Sequence, residues 1–306
     1  MWILLTAIYG ILIGIYSVTR KKASDQNSII FMIALSSTFG FLLISWTAPE
    51  AFATDWQGVL LFLLKALIVF MAWIFELIAF KNYYMSSLKP ISAIRVVISF
   101  VVSLIIFNEP VIWWKFFGVV VIFVGLLLLN YFDRKQLKNI LVNKEQCFNR
   151  LEQKRENDNL NRKRILAIIF FILSCCLNVI SGILDKLFLD SYTPSQMQFW
   201  FIFFIAVLGW IAFFVLCIKN KKILITKKDW KNWLIYLSGA ILIIADRLLF
   251  IALTDPNVLV SGVSILKQLS TVISVIFGGI LYKEPNLKYK IVFLVFILVG
   301  IVIVLV

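Results

Sequence analysis

Ten apolar runs, each near the length that crosses a bilayer, leave this chain little choice of fold. They cover residues 2–18, 28–48, 58–80, 86–107, 112–131, 166–185, 196–218, 232–253, 257–282 and 288–306. A helix needs about 20 predominantly apolar residues to cross the hydrocarbon core. The runs therefore predict an all-α integral membrane protein with ten transmembrane helices. Overall, 62% of the residues are hydrophobic and 15% charged, whereas a soluble domain carries about 25% charged residues. A water-soluble fold of this length has nowhere to hide so much apolar surface.

The charge pattern gives the direction of the spans. Of the 30 lysines and arginines, 24 fall at the loops that follow odd-numbered spans and 2 at the others. Cytoplasmic loops carry the excess of Lys and Arg, which places both termini outside. The same pattern accounts for the formal charge of +14 as topogenic charge, so no nucleic-acid partner is expected. The opening MWILLTAIYGILIGIYSV has no basic residue before it and Arg20, Lys21 and Lys22 after it, which predicts a retained first helix. A plasma membrane, of the bacterial inner type, is the expected location.

The halves repeat. Span four ends SFVVSLIIFNEP and span nine ends SVIFGGILYKEP, and a shift of 175 places Glu109 on Glu284. The same shift brings Pro110 onto Pro285, Ser99 onto Ser274, Ser103 onto Gly278 and Ser92 onto Lys267. Five spans per half is an odd number, so the second half enters the membrane inverted. The predicted organisation is a first five-helix repeat at 1–131, a basic cytoplasmic linker at 132–164 and a second repeat at 165–306. The linker has the makings of an amphipathic surface helix around Ile140, Leu141, Phe148 and Leu151. Inverted repeats around a central site are a recurrent transporter plan.

Polar stripes mark the fourth and ninth spans. Ser92, Arg95, Ser99 and Ser103 fall within an arc of roughly 80°, and Ser264, Lys267, Gln268, Thr271, Ser274 and Gly278 within about 120°. An ionisable group inside the membrane is expensive and is by default a functional candidate. Lys65, Glu76, Arg95, Asp246, Arg247 and Lys267 qualify, with Gln268 beside Lys267 and Asn178 on span six. Glu76 and Arg95 sit at similar depths on adjacent antiparallel helices, so they are expected to meet, either as a structural ion pair or facing substrate. Lys267 is expected near the midplane, facing substrate. Asp246 and Arg247 are adjacent, about 100° apart on their helix, so only one of them faces a cavity fully. Lys65 is expected to snorkel near the outer end. Gly10 and Gly14 form a small-xxx-small face for helix packing.

These features resemble the drug/metabolite transporter superfamily, in its ten-helix EamA-like branch. The residues that carry the resemblance are FNEP (Phe107–Pro110), YKEP (Tyr282–Pro285), and the paired small positions Gly118 and Gly125 of span five. The second copy keeps Gly300 but has Phe293 where a first glycine is expected. The resemblance implies a basket in which spans one to four and six to nine surround a cavity while five and ten lie outside it. It also implies alternating-access transport of a small metabolite, with a coupling proton or a counter-substrate.

The excess of interior positive charge points to an anionic or zwitterionic substrate. The alternative is a flippase for a lipid-linked or amphipathic metabolite. A membrane-embedded enzyme is less favoured, because the chain has no histidine, no P-loop and no evident nucleophile with a base. The cysteines Cys147, Cys175, Cys176 and Cys217 show neither disulfide-framework nor zinc spacing, so no metal or other cofactor is expected. The expected partners are the substrate and the bilayer, in a monomer or homodimer.

Overall fold

In the computed structural model, residues 1–26, 28–106, 150–220 and 230–283 are described throughout, with short stretches inside 113–128 and 294–303. Every regular element among them is helical. The principal helices are α1 (Trp2–Gln26), α2 (Ile29–Ile44), α3 (Trp56–Asn82), α4 (Ile94–Ile106), α5 (Arg150–Leu189), α6 (Pro194–Asn220), α7 (Trp233–Leu253), α8 (Val260–Leu266) and α9 (Leu269–Leu281). A single helical turn, Met85–Leu88, and a 3₁₀ stretch, Lys89–Ala93, lead into α4. Eight segments among the described residues are long and apolar enough to cross a membrane. They correspond to eight of the ten expected spans. The fifth and tenth fall largely outside the described residues, although Phe116–Gly125 is a shorter apolar helix. The acids of the two NEP and KEP motifs, Glu109 and Glu284, also lie outside, as do Ile140, Leu141 and Phe148.

Helix starts follow local chemistry. Asp55 caps α3 by accepting from the Gly58 N–H at 3.3 Å, and Asn232 caps α7 by accepting from Leu234 N–H at 3.2 Å. At α6, Thr193 and Gln196 form a capping box: the Gln196 side chain accepts from Thr193 N–H at 3.0 Å, and Thr193 Oγ1 accepts from Gln196 N–H at 3.3 Å. Pro194 fits the first helical position because its missing N–H needs no partner there. Two helices run further than the apolar pattern suggests. Helix α1 continues past the apolar run to Gln26, and α5 begins at Arg150, so the end of the linker is helical and continuous with the sixth span.

The helices pack in a pattern of exchanged partners. Helix α1 lies on α7 and α3 on α5, while α2 lies on α6, α2 on α7 and α3 on α6. In lipid there is no hydrophobic drive between helices, so close approach depends on small residues. Gly239 of α7 sits so near Ser36 of α2 that an added Cβ would come within 2.4 Å of the Ser36 carbonyl oxygen. Gly209 of α6 faces Ala34 of α2 in the same way, at 2.8 Å from the Ala34 Cα. Gly10 and Gly14 pack against Leu266, Leu269 and Ile273, as the small-xxx-small reading expects.

Candidate functional site

The fourth and ninth spans are both broken, at matching places. Pro90 has no N–H to give the helix ladder, and the chain runs as 3₁₀ helix from Lys89 to Ala93 before α4 resumes. Between α8 and α9, Lys267 and Gln268 form a turn with tight i→i−3 bonds: Gln268 N–H to Ile265 C=O at 2.9 Å and Ser270 N–H to Lys267 C=O at 3.1 Å. The Ser270 hydroxyl also donates to the Lys267 carbonyl at 2.6 Å, competing with the ladder. Shifted by 175, the break at 89–93 covers 264–268. The breaks touch: Ser92 Oγ lies 2.8 Å from Thr271 Oγ1 and 3.4 Å from Gln268 Oε1.

Around the breaks is a buried cavity of about 120 Å³, walled by α1, α3, the 3₁₀ stretch and α4, α5, α6, α7 and the α8–α9 turn. A neighbouring lobe of about 100 Å³ shares Tyr9, Ser92, Arg95, Asn178 and Lys267 with it and adds Ser99 and Gln268. The charged lining is five cations, Arg20, Lys65, Lys89, Arg95 and Lys267, against three acids, Glu76, Asp185 and Asp246. Irregular backbone and charge at membrane depth are tolerated where they line such a hollow.

Two ionic clusters hold its walls. In the first, Glu76 of α3 receives Lys89 Nζ at 3.1 Å and Arg20 Nη1 at 3.4 Å. Lys89 also donates to Ser17 Oγ at 2.9 Å, and the Arg20 guanidinium lies over the Trp73 ring at 4.6 Å. In the second, Lys65 Nζ pairs with Asp185 Oδ1 at 2.5 Å and sits over the rings of Phe201 and Phe250 at 4.2 and 4.6 Å. Asp246 of α7 lines the same wall. Lys267 Nζ lies over the Tyr9 ring at 5.3 Å.

Of the residues singled out in the sequence, Glu76, Arg95, Asn178, Asp246 and Lys267 line the main cavity and Gln268 lines its lobe. Arg247 does not line either space. Its Nη2 donates to Ser195 Oγ at 2.9 Å and its guanidinium lies 6.0 Å from the Trp46 ring centre, so its head group is engaged outside the cavity lining. Asn178 Nδ2 is turned back to its own helix, donating to the Ser174 carbonyl at 2.8 Å. The expected meeting of Glu76 with Arg95 is corrected: Glu76 takes Arg20 and Lys89 instead, because both cations reach it from helix positions that the charge count had assigned to loops. Snorkelling by Lys65 is also corrected. It is 1% exposed, since α5 brings Asp185 to it inside the bundle. Arg20, Lys65, Lys89 and Asp185 were thus missed as cavity residues. An unpaired interior Glu76 was the signal that a cation must be near.

A comparison with curated proteins found no match. Seventeen solved chains match; one of them, described as "Crystal structure of protein", is 12% identical with a TM-score of 0.67, over 100% of this chain and 98% of the other. At that identity the likeness speaks for the fold alone. The family profile described as the EamA-like transporter family matches residues 1–131 and 165–306. With a helical membrane bundle around a charged cavity and a family match across both halves, the chain belongs to the EamA-like transporter family.

Proposed function

We propose that this chain is a secondary carrier that moves a small anionic or zwitterionic metabolite across a plasma membrane by alternating access. One observation carries the substrate class: five cations face three acids in the buried cavity. Unpaired charge in a low-dielectric site is costly, and an anion entering the cavity would offset it. Carboxylate and phosphate groups suit such a site through charge-assisted hydrogen bonds.

The reading includes ten spans arranged as two inverted five-helix repeats, at 1–131 and 165–306, joined by the cytoplasmic linker 132–164. The exchange of packing partners supports it. If the first five spans correspond to the last five, α1 on α7 and α3 on α5 are the same contact seen from each half, as are α2 on α7 and α3 on α6. The paired helix breaks support it too, since carriers of this plan bind substrate at discontinuous helices. Rocking one half against the other around those breaks would expose Lys267 and Arg95 to each side in turn. Both termini outside, and a coupling proton or counter-substrate, complete the proposal.

A thermal-shift screen of purified protein against charged and neutral metabolites should find its stabilisers among anions and zwitterions, because binding to the folded state raises the melting temperature. Uptake of the hit into proteoliposomes should then fall sharply in Lys267→Ala. Stabilisation by cations alone, or wild-type uptake by that variant, would reject the reading.

A further inference from the structure

Most of the charges in the cavity are already answered. Glu76 holds Arg20 and Lys89, and Lys65 holds Asp185. Three groups remain. Arg95 has Nε and Nη2 buried with no hydrogen-bond partner. Among the described residues, the Asp246 carboxylate and the Lys267 ammonium make no hydrogen bond and no ion pair, although both line the cavity. Asp246 is only 8% exposed, so water does not answer it freely.

Each leftover group asks for a particular partner. Nε–H and Nη2–H form one straight edge of the guanidinium, two parallel donors that match a carboxylate. Lys267 is a point charge that accepts any compact anion. Asp246 accepts only, and it repels a second carboxylate unless a donor lies between them. Lys65 and Lys267 lie near enough to Asp246 to act on it through space, but Lys65 is held by Asp185.

We infer that the cavity selects an ammonium-bearing dicarboxylate of the α-amino dicarboxylate kind, with one carboxylate on the Arg95 edge, the other at Lys267 and the ammonium at Asp246. This deepens the carrier reading above and rests on it. A plain dicarboxylate of the same length would leave Asp246 facing like charge. A neutral-side-chain amino acid would leave Lys267 unanswered.

Calorimetric titration of the purified full chain with L-glutamate, glutarate and L-glutamine separates these cases. L-glutamate should bind about ten- to a hundredfold more tightly than either of the others, the usual scale for one charge-assisted contact. Asp246→Asn should remove the preference over glutarate, and Lys267→Gln the preference over L-glutamine. Asp246→Glu, which keeps the acceptor, should retain the first preference if the asparagine variant does not fold. Glutarate binding as tightly as L-glutamate would overturn the inference while leaving an anion carrier standing. So would an Asp246→Asn protein that still discriminates as the wild type does. Tight binding of L-glutamine alone would overturn the inference while leaving a carrier for a zwitterion standing, and binding of none of the three would overturn the inference, with uptake of the screened hit still deciding the carrier.

Discussion

Ser92 Oγ and Thr271 Oγ1 share a hydrogen bond of 2.8 Å between residues 179 positions apart, at the point where each of their helices breaks. Both are buried. The bond ties the fourth span to the ninth beside the cavity, and Gln268 Oε1 also accepts from Thr271 Oγ1 at 3.1 Å. Thr271→Val keeps the shape and removes the hydroxyl. Hydrogen bonds between membrane helices average about 0.6 kcal/mol and reach about 1.7, so thermal melting in detergent should show a loss of that order. Ser92→Ala in the same background should then cost less than it does alone, as a double-mutant cycle reads.

Lys65 and Asp185 make a sharper case, since both are buried and pair across α3 and α5. Removing one partner leaves an uncompensated charge and costs about 3–5 kcal/mol. Lys65→Met and Asp185→Leu are each expected to lower the melting temperature strongly. The double variant should recover most of the loss, because an apolar pair of similar volume is often neutral there. A double variant as unstable as the worse single one would mean that Lys65 acts chiefly through its aromatic contacts.

Eight of the spans were legible among the described residues because lipid imposes a length and a hydropathy on each one. So was the polar face of the fourth and ninth spans, and with it Arg95, Lys267 and Gln268. What could not be read was who faces whom. Nothing local to Lys65 announces Asp185, which is 120 positions away, so its place near a helix end suggested snorkelling. Arg20 looked like a loop residue because the apolar run stops before it, yet α1 continues for another turn and more, and stacking on Trp73 shelters the guanidinium. Asp246 and Arg247 were separable in principle by helix phase, but the phase of the cavity is set by neighbouring helices. The depth of a charge was thus readable and its partner was not.

Glu76 is shared by two cations, which makes its loss worse than neutral. Glu76→Gln would leave Arg20 and Lys89 facing each other with no carboxylate between them. The protein should melt earlier, by the several kcal/mol typical of an orphaned buried charge. Adding Lys89→Met removes one of the two like charges, so the melting temperature should partly return. If Glu76→Gln alone melted like the wild type, the first ionic cluster would have no structural role and Glu76 would be free for substrate or a proton.

Glycines separate binding from folding. An added Cβ at Gly239 would lie 2.4 Å from the Ser36 carbonyl oxygen, so α2 and α7 would have to move apart. Overpacking of that kind costs about 1–3 kcal/mol, and Gly239→Ala should melt earlier. Gly182 lines both lobes of the cavity, and a Cβ there meets nothing within 4 Å. Alanine in a helix is favoured over glycine by about 0.5–1 kcal/mol, so Gly182→Ala should melt at or slightly above the wild-type temperature. Gly182→Leu extends further into the space beside Arg95 and Asn178 and should weaken ligand binding while the bundle stays folded. Wild-type affinity in the leucine variant would place the ligand outside this cavity, whatever the melting curves show.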